Sequence, residues 1–331
     1  MRSRTIGSCS AALLTLALAT PTLAAQTGTV ETTPAPAPPA APAVPPPPYS
    51  LPWQLRPAAV GNVLRLDTSI GFYKTPATAM APAVTGGSTV ASMLLATYKV
   101  TPTLAPILRL GVVQNDNPGP VMGSGAAFAN PVVGLTGGWK LPAKLRLSAI
   151  LAGTVPIGSG GTKTAAQNTG SAAIAKGAPV RSAMDNAMFA VNYLTVLGGA
   201  DLAYVGGGFT AQVEVTMFQL WRVRNEICAD GTSKCAAEST RTNATAGLHL
   251  GYFILPILSV GGEIRYQQWL KHAAMKSPAR ENVSFAVGPR FHFKMGPTTW
   301  LRPGISYATF IDQPLSKSRY SIVQVDVPFA F

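Results

Sequence analysis

Three kinds of side chain in this chain could carry chemistry: the histidines, the cysteines, and arginines set among apolar residues. A histidine serves as a hydrolytic base when a serine hydroxyl lies within hydrogen-bond reach. His249 and His292 alternate with apolar neighbours, which puts each on the polar face of an extended strand, while His272 falls in a connection. The same-face position two residues beyond His249 is Gly251, so no nucleophile follows it in its own strand. Cys228 and Cys235 bracket the stretch Cys-Ala-Asp-Gly-Thr-Ser-Lys-Cys, and its Asp-Gly turn suits a disulfide formed in an oxidising compartment. Two thiols without nearby histidines make a poor zinc site. Gly206-Gly207-Gly208 opens a strand rather than a helix, unlike a phosphate-binding loop. The sequence therefore points to no catalytic group, no metal and no cofactor.

The arginines say more. Arg65, Arg109, Arg146, Arg265, Arg290 and Arg302 all fall on the polar phase of alternating segments. Asp67, Glu214, Glu263 and Asp326 share that phase, as do His249 and His292. A slip of one residue would turn each of them to the opposite face, so the phase assigns them jointly. If that face lines a lumen, two readings follow. Paired charges would fill and rigidify the interior, whereas a positive excess along an open path would favour anions.

Charges on one face of a strand need an element that keeps the other face out of water. Only 12% of the chain is charged, about half the usual share, and mean hydropathy is positive. A helix that spans a membrane needs roughly 20 consecutive apolar residues. Beyond the N-terminal stretch, every apolar run is interrupted within a few positions by a polar, charged or glycine residue. A membrane protein without such helices must close its backbone hydrogen bonds in a barrel. The net charge of +13 would suggest nucleic acid in a soluble protein, but an export signal removes that partner. Residues 1–24 read as this signal: Arg2 and Arg4 precede an apolar run from Ala11 to Ala19, and Thr22-Leu23-Ala24 suits cleavage. Cys9 precedes the apolar run and does not suit lipidation. Residues 25–50 form a Pro/Ala-rich leader that cannot pack a core and suits an extended spacer.

From there residues 51–331 repeat one theme, about ten alternating residues followed by a turn. Twelve such segments are expected, near 62–73, 88–100, 105–114, 128–141, 144–156, 190–201, 208–222, 243–254, 258–269, 282–295, 299–310 and 319–331. Short connections alternate with long ones, as in barrels with short periplasmic turns and long outer loops, and an even count leaves both ends periplasmic. Aromatic residues gather near the segment ends as two girdles, with Trp139, Phe293, Trp300, Phe329 and Phe331 at one rim. Phe72, Trp221, Trp269 and Tyr320 are expected at the other. Pro131, Pro289, Pro303 and Pro328 interrupt the segments and demand bulges or early ends. The expected fold is an all-β, closed antiparallel transmembrane barrel.

The stretch 320–331 alternates apolar residues and finishes on Phe329 and Phe331. It resembles the C-terminal strand of Gram-negative outer-membrane β-barrel proteins. The resemblance implies an outer-membrane location and recognition of that strand by the barrel-assembly machinery. The leading functional expectation is a passive channel for small solutes, anion-preferring if the arginines line an open path. The first alternative is a closed structural or adhesive barrel whose basic outer loops bind lipopolysaccharide or surface glycans. Lys163, Lys176, Arg181, Arg222 and Arg224 are among those loop charges. The second alternative is an outer-membrane lipid hydrolase.

Overall fold

The computed structural model describes residues 49–75, 83–116, 125–161, 165–224, 238–271, 281–312 and 315–331. Cys228 and Cys235, His272, Lys163, the signal segment and nearly all of the leader lie outside the described residues.

The alternating segments form strands that pair with their sequence neighbours, always antiparallel. They are β1 (Val63–Thr75), β2 (Val84–Thr97), β3 (Leu104–Asp116), β4 (Gly125–Phe128), β5 (Val132–Lys140) and β6 (Leu145–Thr154). After an excursion of the chain come β7 (Tyr193–Gly206), β8 (Phe209–Arg222), β9 (Thr240–Leu255) and β10 (Leu258–Lys271). The last are β11 (Glu281–Phe291), β12 (Phe293–Lys294), β13 (Trp300–Leu301), β14 (Gly304–Phe310) and β15 (Ser321–Ala330). β15 pairs back onto β1, from Val63 opposite Ala330 to Phe72 opposite Ser321, so the sheet has no edge. Taking β4 with β5, β11 with β12 and β13 with β14 as single broken staves, the protein is a closed antiparallel barrel of twelve staves.

The breaks fall at prolines, which lack the N–H a ladder needs. Pro131 separates β4 from β5, and Pro303 separates β13 from β14. Pro289 stays within β11, where the ladder to β14 skips from Val287 to Arg290. Pro328 lies where the partner of β15 changes from β14 to β13, and its carbonyl accepts from the Arg302 N–H at 2.9 Å. One expected connection is shorter than its sequence suggests. β7 runs on to Gly206, and the turn is Gly207-Gly208 alone, at φ 62° and 78°. Two adjacent left-handed residues match the twist of the flanking strands, and glycine adopts that conformation without strain.

One face of each stave is buried and the other exposed. Leu64, Leu66, Leu151, Val215, Ile264 and Ile305 stand on the exterior. So continuous an apolar surface suits a lipid surround and not water. Trp139, Trp221, Phe72 and Phe293 are exposed near stave ends. Two of the expected girdle residues pack inward instead. Tyr320 is buried and stacks on Tyr73 with ring centroids 5.2 Å apart, and Trp269 packs against the interior core. Phase explains both, since Tyr320 keeps step with Ile322, Gln324 and Asp326, and Trp269 with Glu263, Arg265 and Gln267. No described helix is long and apolar enough to cross a membrane.

The seam is tied inside as well as along the ladder. Asp326 of β15 holds Arg65 of β1 at 2.7 Å and Arg290 of β11 at 2.5 Å, and it is fully buried. Asp326→Ala leaves two buried guanidinium groups without their carboxylate, a loss of about 3–5 kcal/mol. Urea unfolding of the barrel in lipid vesicles is the check, with Gly61→Ala at the seam's neighbouring turn as a near-neutral control.

Candidate functional site

The lumen is not empty. Residues 49–62, Tyr-Ser-Leu-Pro-Trp-Gln-Leu-Arg-Pro-Ala-Ala-Val-Gly-Asn, enter it from the short-turn end, turn near Leu55, and return to start β1. Pro52 and Pro57 keep this stretch out of a regular helix or strand, so its backbone groups need side-chain partners. The wall supplies them. Ser50 N–H donates to Thr210 Oγ1 at 3.1 Å, Trp53 N–H to Glu263 Oε1, Gln54 N–H to Glu263 Oε2 at 3.2 Å, and Arg56 N–H to Glu214 Oε2 at 2.6 Å. The Trp53 carbonyl accepts from Arg65 and from Gln324 Nε2 at 3.1 Å. The Trp53 indole donates to the Gly261 carbonyl at 3.1 Å, and the Arg290 guanidinium lies 4.4 Å from the ring centroid. At the neck of the loop the Tyr49 hydroxyl accepts from Ala58 N–H and donates to Gln212 Oε1, each at 2.8 Å.

Glycines in the wall make the room. A methyl group added at Gly304 would stand 2.7 Å from the Trp53 ring, and one at Gly199 would stand 2.7 Å from the Arg56 guanidinium. Gly247 faces Leu55 and Gly251 faces Ser50 in the same way. The staves are thus shaped around this segment.

A second insertion fills the opposite end. Between β6 and β7 the chain folds inward as α1 (Ala165–Val180) and α2 (Asn186–Phe189). Ile174, Val180, Met188 and Phe189 pack with the inward Tyr73, Met93 and Val113 in one apolar cluster. α1 gives way at Ser182 and Ala183, both at positive φ, and this reversal points Arg181 and Ser182 into the lumen. Arg181 meets Asp67 at 2.7 Å and Asp185 at 3.0 Å, while Ser182 Oγ accepts from Arg265 at 2.9 Å. Arg109 completes the group on Asp185 at 2.7 Å. Burial alone would raise the Asp185 carboxyl, but Arg109 and Arg181 beside it hold it well below the usual carboxylate range. Arg181 was expected among the loop charges that meet lipopolysaccharide. It is 1% exposed, because two carboxylates draw it inside.

The two insertions meet at mid-barrel through wall residues. Glu263 binds the 49–62 loop and also Arg265 at 2.7 Å, and Arg265 binds Ser182. Gln324 Nε2 reaches both the Trp53 carbonyl and Asp67 Oδ1, the latter at 2.9 Å, and Asp67 binds Arg181. Six arginines (Arg56, Arg65, Arg109, Arg181, Arg265, Arg290) thereby meet six carboxylates (Asp67, Asp185, Asp201, Glu214, Glu263, Asp326). Of the other sequence candidates, Arg146 lies over the Tyr49 ring at 5.1 Å and Arg302 over Trp300 at 5.3 Å. His249 sits between the Ser50 carbonyl at 3.1 Å and Glu263 at 3.6 Å. His292 Nε2 lies 2.8 Å from Ser259 Oγ. Ser259 is on the neighbouring stave, which a search along one strand passes over. Trp53, Arg56, Asp185 and Asp201 were also missed, and their weight becomes visible only when the loop is seen inside.

No protein-family model matches the chain, and no curated protein matches it either. Among solved structures it is similar to the COG4313 outer membrane channel from Pseudomonas putida F1, with a TM-score of 0.52 and 15% identity. That match covers 84% of this chain and 98% of the other. The NanC porin (TM-score 0.44, 9% identity, 80% of this chain and 98% of the porin) is more distant. So is the KdgM porin in complex with disordered oligogalacturonate (0.42, 9%, 80% and 99%). The first likeness shows the barrel fold.

Two outcomes follow from this packing. Glu263→Ala removes the acceptor of two loop amides and the partner of Arg265, so chymotrypsin should cut after Trp53 in the folded variant and spare the parent. Mass mapping of the fragments reads this out, and equal cutting in both would contradict it. For Asp185 the folded pKa lies below its free value of 3.8, so its stabilisation is present above about pH 4 and is lost as pH falls further. Asp185→Asn should lower stability at neutral pH and flatten its fall below pH 4, measured by urea unfolding across the acid range.

Proposed function

We propose that this chain is an outer-membrane channel whose resting lumen is closed by its own segment 49–62 and by the insertion between β6 and β7. One observation carries the reading: the loop 49–62 belongs to no stave, yet it occupies the lumen in a cradle of wall glycines. Hydrogen bonds and ion pairs hold much of it in place, and water can replace each of those partners. A loop held this way can leave without unfolding the wall. The barrel fold shared with a solved outer-membrane channel supports the location and the class. In this reading the short turns face the periplasm, the exterior meets membrane lipid, and the long loops meet lipopolysaccharide. The barrel-assembly machinery inserts the chain.

The mutual pairing of the inner arginines favours the second reading, a barrel that stays closed and serves structure or adhesion. It also weakens the basis for drawing anion preference from Arg65, Arg109, Arg265 and Arg290, since each of these four has a carboxylate partner. A lipid hydrolase draws less support. Ser259 and His292 do touch, but they are 0% and 3% exposed, sealed from any lipid ester.

Replacing residues 50–57 by a Gly/Ser linker of equal length separates the two main readings in planar bilayers. The gated channel predicts rare or small openings for the parent and steady, larger conductance for the variant. Equal, negligible conductance in both would establish the closed barrel.

A further inference from the structure

The short-turn rim carries an unusual charge pattern. Lys99, Lys140, Lys144, Arg146, Lys294 and Arg302 stand in or beside its turns, and no aspartate or glutamate occurs in those turns. Inside the barrel each arginine of the paired set meets a carboxylate; at this rim no ion pair is seen for these six among the described residues. The cations are also gathered around a hollow. A cavity of about 370 Å³ opens there, with Lys99, Lys140 and Arg146 on its walls beside Trp139. That volume is in the range of small-molecule sites. Another part of the wall is the returning limb of the lumen loop, Ala58, Ala59 and Val60, and Pro102, Thr103 and Gly138 complete it.

The geometry points to this cavity as a binding site for an organic phosphate, whose occupancy keeps the lumen loop seated. Three cations without a carboxylate suit an anionic phosphate head, and Lys supplies point charges while Arg supplies a planar fork. The cavity is much larger than a phosphate group, which leaves room for an organic body beside Trp139 and Val60. Arg146 links the site to the loop twice. It lines the cavity and lies over the Tyr49 ring, and the Tyr49 hydroxyl closes the loop's neck on Ala58 N–H. Because residues 58–60 form part of the wall, the complete cavity exists only with the loop in place. A ligand that binds only that state must stabilise it. At a hundred times its dissociation constant, it lowers the unplugged population about 100-fold. The coupling half of this inference rests on the gated-channel reading; the binding half does not.

The test uses the full chain in uncharged detergent and the double variant Lys99→Ala/Lys140→Ala, both positions exposed and outside the lumen contacts. Glycerol 3-phosphate is titrated at constant ionic strength while tryptophan fluorescence is followed, with Trp139→Phe identifying the responding ring. A parallel arm places the protein in bilayers with and without phosphatidylglycerol. Saturable binding of glycerol 3-phosphate, weakened tenfold or more in the double variant, supports a free organic phosphate as ligand. A response to phosphatidylglycerol alone, again lost in the double variant, supports a lipid headgroup as the source of the same phosphate. No binding in either arm, or a response that chloride reproduces or the double variant retains, overturns the inference. In planar bilayers glycerol 3-phosphate should make parent openings rarer and leave the double variant unchanged. Binding without any change in opening overturns the coupling. A parent that binds nothing, while the linker variant conducts freely, would defeat this inference and leave the gated channel intact.

Discussion

Closure of the sheet through β1 against β15 is the constraint on which everything else in this structure rests. In hydrocarbon no water satisfies an edge strand, so each N–H and C=O of the wall must find a partner around the ring. The full register from Val63–Ala330 to Phe72–Ser321 meets that demand. Closure then fixes what each residue can do. With a period of two and no free edge, every stave offers one face to the surroundings and one to a confined interior. The arginines and carboxylates have only the interior to go to.

An interior so charged cannot be filled by the staves alone. Twelve staves enclose more space than their inward side chains occupy where those side chains are glycines. The chain solves this with two insertions of different character. The α1–α2 insertion buries an apolar cluster and adds one tight ionic knot around Arg181, and its packing resembles a protein core. The 49–62 loop buries Trp53 and Leu55, but it is anchored chiefly by carboxylates that accept from backbone amides. Glu263 through Arg265, and Gln324 through Asp67, connect the loop to that insertion, so the position of one bears on the other. Burying a charge is costly unless it is paired, and removing one partner strands the other. That asymmetry makes the closed state well defined while leaving its individual contacts replaceable by water.

Much of the wall could be read from the sequence because alternation is a local property. Gln324 and Asp326 opposite Val323 and Val325 state their phase without knowledge of the partner strand. The same holds for Arg65, Arg290 and the other charged residues of the staves. The prolines announced interruptions but not their form, which depends on where neighbouring ladders end. The loop 49–62 was not legible. It is short, aperiodic and continuous with a proline-rich stretch, and Trp53 and Arg56 have no local reason to be buried. Gly199, Gly247, Gly251 and Gly304 look like ordinary strand glycines until the register brings them around one segment. Arg181 was misplaced for a related reason, since its carboxylates Asp67 and Asp185 converge only once the insertion turns inward. Ser259 beside His292 is a cross-strand neighbour, invisible to any search along a single strand.

The account stands or falls on whether the loop lies inside the folded barrel. Hydrogen exchange of the intact protein in lipid or detergent, read by mass spectrometry on peptides spanning residues 49–62, measures this directly. The amides of Ser50, Trp53, Gln54, Arg56 and Ala58 all have partners in the lumen. The account predicts protection of this peptide well above that of a free chain, though below that of the staves. Exchange at the rate of an unstructured peptide, in a barrel whose strands remain protected, would contradict it.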